Sequence, residues 1–151
     1  MNIILGLLLV LLLFHVDRQP YSKIIRSWTK ILRVKFVYHG RYTDDFNVDL
    51  VDDVLYVSRY HKMTHDPKVY VYSIAHELGH IIDGIYRENA YEDPDEIFDG
   101  MTEQHTIYEE EIRAWSIAKQ LLIDANIYDE SFFIELRDKC LQNYKTYLQL
   151  G

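Results

Sequence analysis

The stretch VYSIAHELGHIIDG, residues Val71 to Gly84, contains two histidines four positions apart, with a glutamate directly after the first. At 100° per residue, His76 and His80 share one face of a helix one turn apart, and Glu77 is offset to the side. Two imidazoles in this arrangement can hold one metal ion, and the adjacent carboxylate can take the proton of a water molecule activated there. The stretch therefore predicts a metal site with His76 and His80 as ligands and Glu77 as the general base.

The helix that carries this motif is predicted to run from Pro67 to Tyr86, because a proline suits the first turn of a helix. Its core face combines apolar residues at helical spacing: Val71, Ile74, Leu78, Ile81 and Ile85. Gly79 costs about 1 kcal/mol of helix propensity relative to alanine, and we expect it to let another backbone pass close to the site. Asp83, one turn beyond His80, is either a partner that orients a histidine or a surface carboxylate at the helix end.

A catalytic zinc site of this kind needs a third protein ligand from another element. The segment IYEEEIRAWSIAKQLL, residues 107–122, offers three consecutive glutamates. Its apolar stripe is formed by Ile107, Ala114, Ala118, Leu121 and Leu122. Glu111 falls at the centre of this stripe, Glu110 lies on its flank and Glu109 points away. A carboxylate in an apolar stripe is unfavourable unless a positive charge meets it, so Glu111 is the predicted third ligand and Glu110 the alternative.

The order of the other predicted elements indicates an α+β fold. An amphipathic helix around residues 24–32 precedes two strands, the metal-site helix, an acidic loop and two further helices. The boundaries are Arg33–His39 and Val54–Tyr60 for the strands, Arg87–Thr102 for the loop, and Glu103–Ala125 and Glu130–Leu150 for the last helices. Strands that come before helices, rather than alternating with them, are typical of the α+β class.

The composition excludes several classes of protein and of site. A chain of 151 residues with a formal net charge of −8 is one domain by size and does not suit nucleic-acid binding. The single cysteine, Cys140, excludes an intrachain disulfide and a cysteine-cluster zinc site, and its helical spacing from Phe133 and Tyr144 predicts a core residue. The acidic loop is either the rim of a cleft that favours basic substrates or a solvated loop.

The first sixteen residues, MNIILGLLLVLLLFHV, contain no charged side chain. A signal peptide, a buried core helix and a short membrane anchor are the three interpretations, and the uniform leucines favour the anchor. The basic residues lie entirely on the C-terminal side of this segment, which predicts a domain on the cytoplasmic side whose basic stretch rests on anionic lipid headgroups. We therefore expect residues 1–16 to form a membrane anchor and residues 17–151 the folded domain. A soluble cytoplasmic protein is the alternative.

The segment YSIAHELGHIID, followed by EEIRAW at residues 110–115, resembles the ImmA/IrrE group of metallopeptidase domains. That resemblance implies a zincin-like fold, with a small twisted sheet behind the HExxH helix and further helices toward the C-terminus. It also implies Zn²⁺ held by His76, His80 and Glu111. The implied activity is that of a zinc metalloendopeptidase acting on a protein or peptide, for example a regulatory protein of a phage or mobile element.

Two details qualify the resemblance. In these families an alanine, and then an aspartate or asparagine, stand at the third and fourth positions after the ligand glutamate; Ala114 matches, whereas Trp115 departs. This departure leaves open which group supports a metal-ligating histidine. The segment VLYVSRY, from Val54, resembles the family's edge strand, against which an extended substrate could pair.

Other assignments stay open at the level of the sequence. A peptidase needs a donor for the oxyanion that develops on the attacked carbonyl, and Tyr72, His105 and Tyr108 are chemically able to serve. The rival to a peptidase is a non-catalytic, zinc-stabilised interaction domain tethered to the membrane. The intact Glu77 argues against this rival, because a purely structural site has no need of a carboxylate there.

Overall fold

The computed structural model describes residues 21–39, 47–49, 54–58, 66–90 and 103–148. These contain four helices and a three-stranded sheet, which confirms the α+β class. In chain order the elements are α1 Ser22–Ile31, β1 Lys35–His39, β2 Asn47–Asp49, β3 Val54–Ser58, α2 Pro67–Ala90, α3 Glu103–Asp124 and α4 Glu130–Leu148. The predicted anchor at residues 1–16 lies outside the described residues. Within these ranges no helix has both the length and the apolar character needed to cross a membrane.

The sheet has the strand order β1-β3-β2. β1 runs parallel to β3, with Lys35 opposite Val54, and β2 runs antiparallel to β3, with Val48 opposite Leu55. β3 is therefore paired on both sides, and its predicted role as an edge strand for a substrate is wrong. The reason is β2, a strand of three residues in a segment whose turn-forming composition concealed it. Within the described sheet, the outer strands are β1 and β2.

Two predicted boundaries need correction. The metal-site helix continues past Tyr86 to Ala90, through residues that we predicted to be loop. Residues 87–90, RENA, contain no glycine or proline, and arginine, glutamate and alanine are good helix formers, so nothing in this segment ends the helix. The first strand begins at Lys35 rather than Arg33, because Arg33 adopts a left-handed backbone (φ 57°) that closes α1. There the Val34 N–H donates to the Thr29 carbonyl at 2.9 Å, as in a Schellman motif.

The hydrophobic core lies where α2 meets the sheet, α1, α3 and α4. Four of the five residues predicted for the core face of α2 are buried: Val71, Ile74, Leu78 and Ile81. Ile85, the fifth, is 39% exposed, so this part of the prediction is wrong. Cys140 is half-buried and packs against the edge of the core with other residues of α4, as its spacing predicted.

The start of α4 is fastened to the first turns of α2. The buried Tyr72 hydroxyl donates a hydrogen bond to the Ile127 carbonyl at 2.9 Å and accepts one from the Asp129 N–H at 2.7 Å. The Asp129 carboxylate forms an ion pair with Lys68 and accepts the Phe132 N–H at 3.1 Å, as an N-cap does. The Tyr72 hydroxyl therefore has a structural role, since both of its hydrogen bonds join α2 to the start of α4.

We expect the Asp129 cap to make the stability of the domain sensitive to acid. The ion pair with Lys68, together with the hydrogen bonds from Phe132 and Ser131, lowers the pKa of Asp129 to about 2. A carboxyl whose pKa is lower in the folded state stabilises the fold above its unfolded pKa, near 4. This contribution is lost as the pH falls from about 4 to about 2. Chemical unfolding between pH 2 and 7 should show a shallower loss for Asp129→Asn than for the wild type.

Asp138→Asn is the matched control, because Asp138 lies on the exposed side of the same helix, paired with its neighbour Arg137. It should keep the acid dependence of the wild type. Equal slopes for Asp129→Asn and the wild type would contradict the role assigned to the cap.

Candidate metal centre

His76, His80 and Glu111 bring three donor atoms together between α2 and α3. His76 Nε2 lies 3.1 Å from Glu111 Oε2, His80 Nε2 lies 3.2 Å from Glu111 Oε1, and the two Nε2 atoms are 3.3 Å apart. His76 and Glu111 are buried and His80 is half-buried. The structure thus assembles the three ligands predicted from the sequence, and Glu111 rather than Glu110 completes the group.

The spacing of these atoms fits a four-coordinate metal ion. Bonds of about 2.0–2.1 Å from nitrogen and oxygen to a tetrahedral zinc place neighbouring ligand atoms about 3.3–3.4 Å apart. Glu111 Oε2 is buried and receives no well-directed hydrogen bond within the described part of the chain, although His76 Nε2 lies 3.1 Å away. These three residues could therefore hold a metal ion.

The charge states of Glu111 and His76 suit metal binding at neutral pH, whereas that of His80 opposes it. Burial alone would raise the pKa of Glu111, but the neighbouring rings of His76 and His80 outweigh it and lower the pKa to about 2. Burial lowers the pKa of His76, which favours the neutral, ligating form. For His80, burial acts in the same direction, but Glu111, Glu77 and Glu110 outweigh it and raise the pKa. A cation placed among these groups would meet an ionised carboxylate.

Trp115 provides the support for His76 that the sequence left open. Its indole stacks on the His76 ring, with centroids 4.3 Å apart and an interplanar angle of 18°. His76 Nδ1 is buried and has no hydrogen-bond partner within the described part of the chain, whereas in many metal sites this nitrogen donates to a carboxylate or carbonyl. Phe133 of α4 packs edge-on against Trp115, with centroids 5.6 Å apart. Stacking therefore holds the ring of His76.

Tyr144 is a site residue that the sequence interpretation missed. It comes from α4, and its hydroxyl interacts with the Glu111 carboxylate. Burial and the negative charges of Glu111 and Glu77 raise the pKa of Tyr144, so the hydroxyl keeps its proton and can donate it in a hydrogen bond. Its spacing from Phe133 and Cys140 predicted a core face. The sequence held no signal that this face of α4 continues to the metal site.

The other residues that the sequence indicated as possible members of the site differ in their surroundings. Glu77 is half-buried, and its negative charge acts on both His80 and Tyr144. Asp83 accepts hydrogen bonds from Arg113 Nε at 3.1 and 3.2 Å, which joins α2 to α3. Lys145 lies 5.7 Å from the centre of the Tyr108 ring. The side chain of His105 is outside the described residues.

Gly79 brings α2 and α3 into direct backbone contact at the site. A Cβ atom built on Gly79 would lie 2.3 Å from the carbonyl oxygen of Ala114, far inside van der Waals contact. The prediction that another backbone passes close to this glycine is thus confirmed. Ala114 is one turn beyond Glu111 on α3, so this close approach sets the distance between the third ligand and the histidine pair.

Comparisons of the chain with models of protein families, with curated proteins and with solved structures found no match. The geometry of the site and the chemistry of its residues therefore indicate the function.

Gly79→Ala should destabilise the protein. An added methyl group cannot share space with a backbone carbonyl, and overpacking of this kind costs about 1–3 kcal/mol of unfolding free energy. Gly84→Ala is the matched control on the same helix, because a Cβ there meets no atom within 4 Å. It should be neutral or should stabilise the protein by up to about 1 kcal/mol through helix propensity. Urea unfolding of both variants measures the difference, and equal effects would contradict the close packing.

Glu111→Ala should abolish metal binding. We expect about one metal ion per chain in the wild type, measured by elemental analysis of protein purified without chelator, and less than about a tenth of that in the variant, because two histidines alone leave the site incomplete. Glu110→Ala is the neighbouring control and should keep the metal. A full complement of metal in Glu111→Ala would refute the ligand assignment.

Tyr144→Phe should weaken the affinity for the metal by about 10- to 100-fold, as loss of a group that orients a ligand does.

Proposed function

We propose that this protein is a zinc-dependent endopeptidase of the HExxH type, with a zincin-like arrangement of helices and sheet. The observation that supports this most strongly is the cluster of donor atoms from His76, His80 and Glu111. The two Nε2 atoms lie 3.3 Å apart, and they lie 3.1 and 3.2 Å from different oxygens of the Glu111 carboxylate. Three protein ligands leave the fourth position of a tetrahedral ion open, which distinguishes a catalytic site from a closed structural one. Imidazole nitrogens and a carboxylate are a donor set that suits zinc.

The residues around the site have the chemistry that peptide hydrolysis needs. When bound, the ion would supply Lewis acidity to polarise the scissile carbonyl. Glu77 takes the proton of the attacking water and returns it to the leaving amine, the two steps expected of a general acid–base group. Its position directly after His76, and the effect of its charge on His80 and Tyr144, support this role. Tyr144, whose hydroxyl keeps its proton, orients Glu111.

The substrate proposed for this site is a protein or peptide. The likeness of the two ligand segments to the ImmA/IrrE group supports a regulatory protein of a phage or mobile element as the substrate class. Attachment to a membrane through residues 1–16, with the folded domain in the cytoplasm, is part of the same proposal. The pattern of an uncharged apolar segment followed by basic residues supports it.

A second candidate function is a zinc-stabilised interaction domain without catalytic activity. The observation that favours it is the depth of the ligands, because Glu111 is only 5% exposed. Both functions need the same three ligands, so metal content does not distinguish between them. Substitution of Glu77 distinguishes the two functions, because this residue is essential for hydrolysis and dispensable for holding the ion.

Glu77→Gln should leave metal content and melting temperature unchanged and should reduce the rate of peptide hydrolysis at least about 100-fold. The amide keeps the size of the side chain but cannot accept the proton. The measurement is turnover of a fluorescence-quenched peptide library by the metal-loaded full chain. Glu109→Gln, on α3, is the charge-matched control and should keep wild-type turnover. Equal turnover by Glu77→Gln and wild type would refute the mechanism, and a metal-loaded wild type without turnover would favour the interaction domain.

A further inference from the structure

The α1 helix and the strand that follows it carry a concentration of cations. Residues 21–39 contain no aspartate or glutamate. Their basic side chains are all exposed and, within the described part of the chain, none forms an ion pair: Lys23, Arg26, Lys30, Arg33 and Lys35. The whole chain has a formal net charge of −8, so the sign of the charge on this segment is opposite to that of the chain as a whole.

A groove with apolar walls lies beside these cations, between α1 and the end of α3. It has a volume of about 380 Å³, and its walls include Ile24, Trp28, Ile31, Leu32 and Leu121. Ile31, at the rim, is 73% exposed, more than any other large apolar residue in the described chain. Asp124 is the acidic residue on this wall, and it accepts a hydrogen bond from Gln120 at 2.7 Å. The groove therefore presents apolar surface to the solvent.

The cations and the groove share one side of α1. At 100° per residue, Ser27, which lines the groove, separates Lys23 and Lys30 on one flank from Ile24 and Ile31 on the other. A helix that presents lysines next to exposed apolar residues is typical of peripheral attachment at a membrane interface. Lysine side chains can extend toward headgroups while their stems stay with the apolar residues. We name this surface, formed by Lys23, Ile24, Ser27, Lys30 and Ile31, the α1 face.

We propose that the α1 face binds the surface of an anionic lipid bilayer, with Ile31 and the groove in contact with the acyl boundary and Lys23 and Lys30 in contact with the headgroups. This inference is independent of the proposed peptidase activity. Charge complementarity favours the bilayer as partner, because anionic lipid attracts the α1 face and repels the acidic remainder, which fixes one orientation. The apolar segment 1–16, separated from α1 only by residues 17–21, supports a location at a membrane.

A bilayer accounts for both parts of the surface. A soluble polyanion such as nucleic acid would engage the lysines, but it would leave Ile31 and the groove exposed to water. A second copy of this chain would cover the groove, but it would bring two sets of unpaired cations together and lose free energy through their repulsion. An anionic membrane offers negative charge and apolar material side by side.

The test is partition of the full-length chain between buffer and vesicles of neutral phosphatidylcholine, alone or mixed with phosphatidylglycerol. The informative quantity is the ratio of the two partition coefficients, because insertion of residues 1–16 does not depend on lipid charge. We expect a clear preference for anionic vesicles that weakens as salt is raised. The double substitution Lys23→Gln and Lys30→Gln should reduce the ratio by about 10- to 30-fold, at about 5-fold for each basic residue near the surface. Ile31→Ser should reduce partition to anionic vesicles about 5-fold.

Matched controls come from the exposed side of α4. Lys139→Gln with Lys145→Gln removes the same charge, and Ile134→Ser removes an isoleucine that is 41% exposed. Both controls should partition like the wild type, and circular dichroism melting shows whether every variant is folded. Equal loss in the α1 and α4 variants would overturn the proposal, as would equal partition to neutral and anionic vesicles. Binding to soluble heparin without any preference for anionic vesicles would also overturn it.

Discussion

The burial of one carboxylate is the constraint on which the rest of this structure depends. Glu111 sits in the apolar stripe of α3 at 5% exposure, where an uncompensated charge would be strongly unfavourable. The Nε2 atoms of His76 and His80, both on α2, lie 3.1 and 3.2 Å from the oxygens of this carboxylate. Those distances require the two helix backbones to approach closely, and Gly79 against Ala114 is the contact that permits it. The burial of this charge and the close packing of α2 against α3 therefore depend on the same four residues: Gly79, His76, His80 and Glu111.

Much of the site could be predicted from the sequence because it follows from helical periodicity. Spacing placed His76 and His80 on one face, and the apolar stripe of α3 selected Glu111 over its two neighbours. Gly79 was identified as a point of close approach for the same reason, since a glycine inside a helix needs a packing explanation. These inferences succeed because each needs only the local rule of 3.6 residues per turn.

The features that the sequence did not reveal depend on contacts between distant segments. Tyr144 reaches Glu111 from a helix that starts nineteen residues later, and no local pattern distinguishes a tyrosine on a core face from one at a site. Trp115 marked a departure from the family pattern, but its stacking on His76 depends on how α2 and α3 cross. β2 has three residues, too few for an alternating pattern, and it becomes a strand only through pairing with β3. Missing it made the central strand look like an edge.

The last helix explains how so small a domain can hold its ligands in place. α4 provides none of the candidate metal ligands, but Phe133 packs against Trp115, which stacks on His76, and Tyr144 interacts with Glu111. One helix thus supports both His76 and Glu111. Its start is in turn fixed to α2 by the hydrogen bonds of Tyr72 and the ion pair between Lys68 and Asp129. α4 is therefore attached to α2 at its start and to the site through Phe133 and Tyr144. Because of these contacts, the side chains of the site can shift only if the helices move together. Such support is what a ligand needs to keep its geometry when a metal binds.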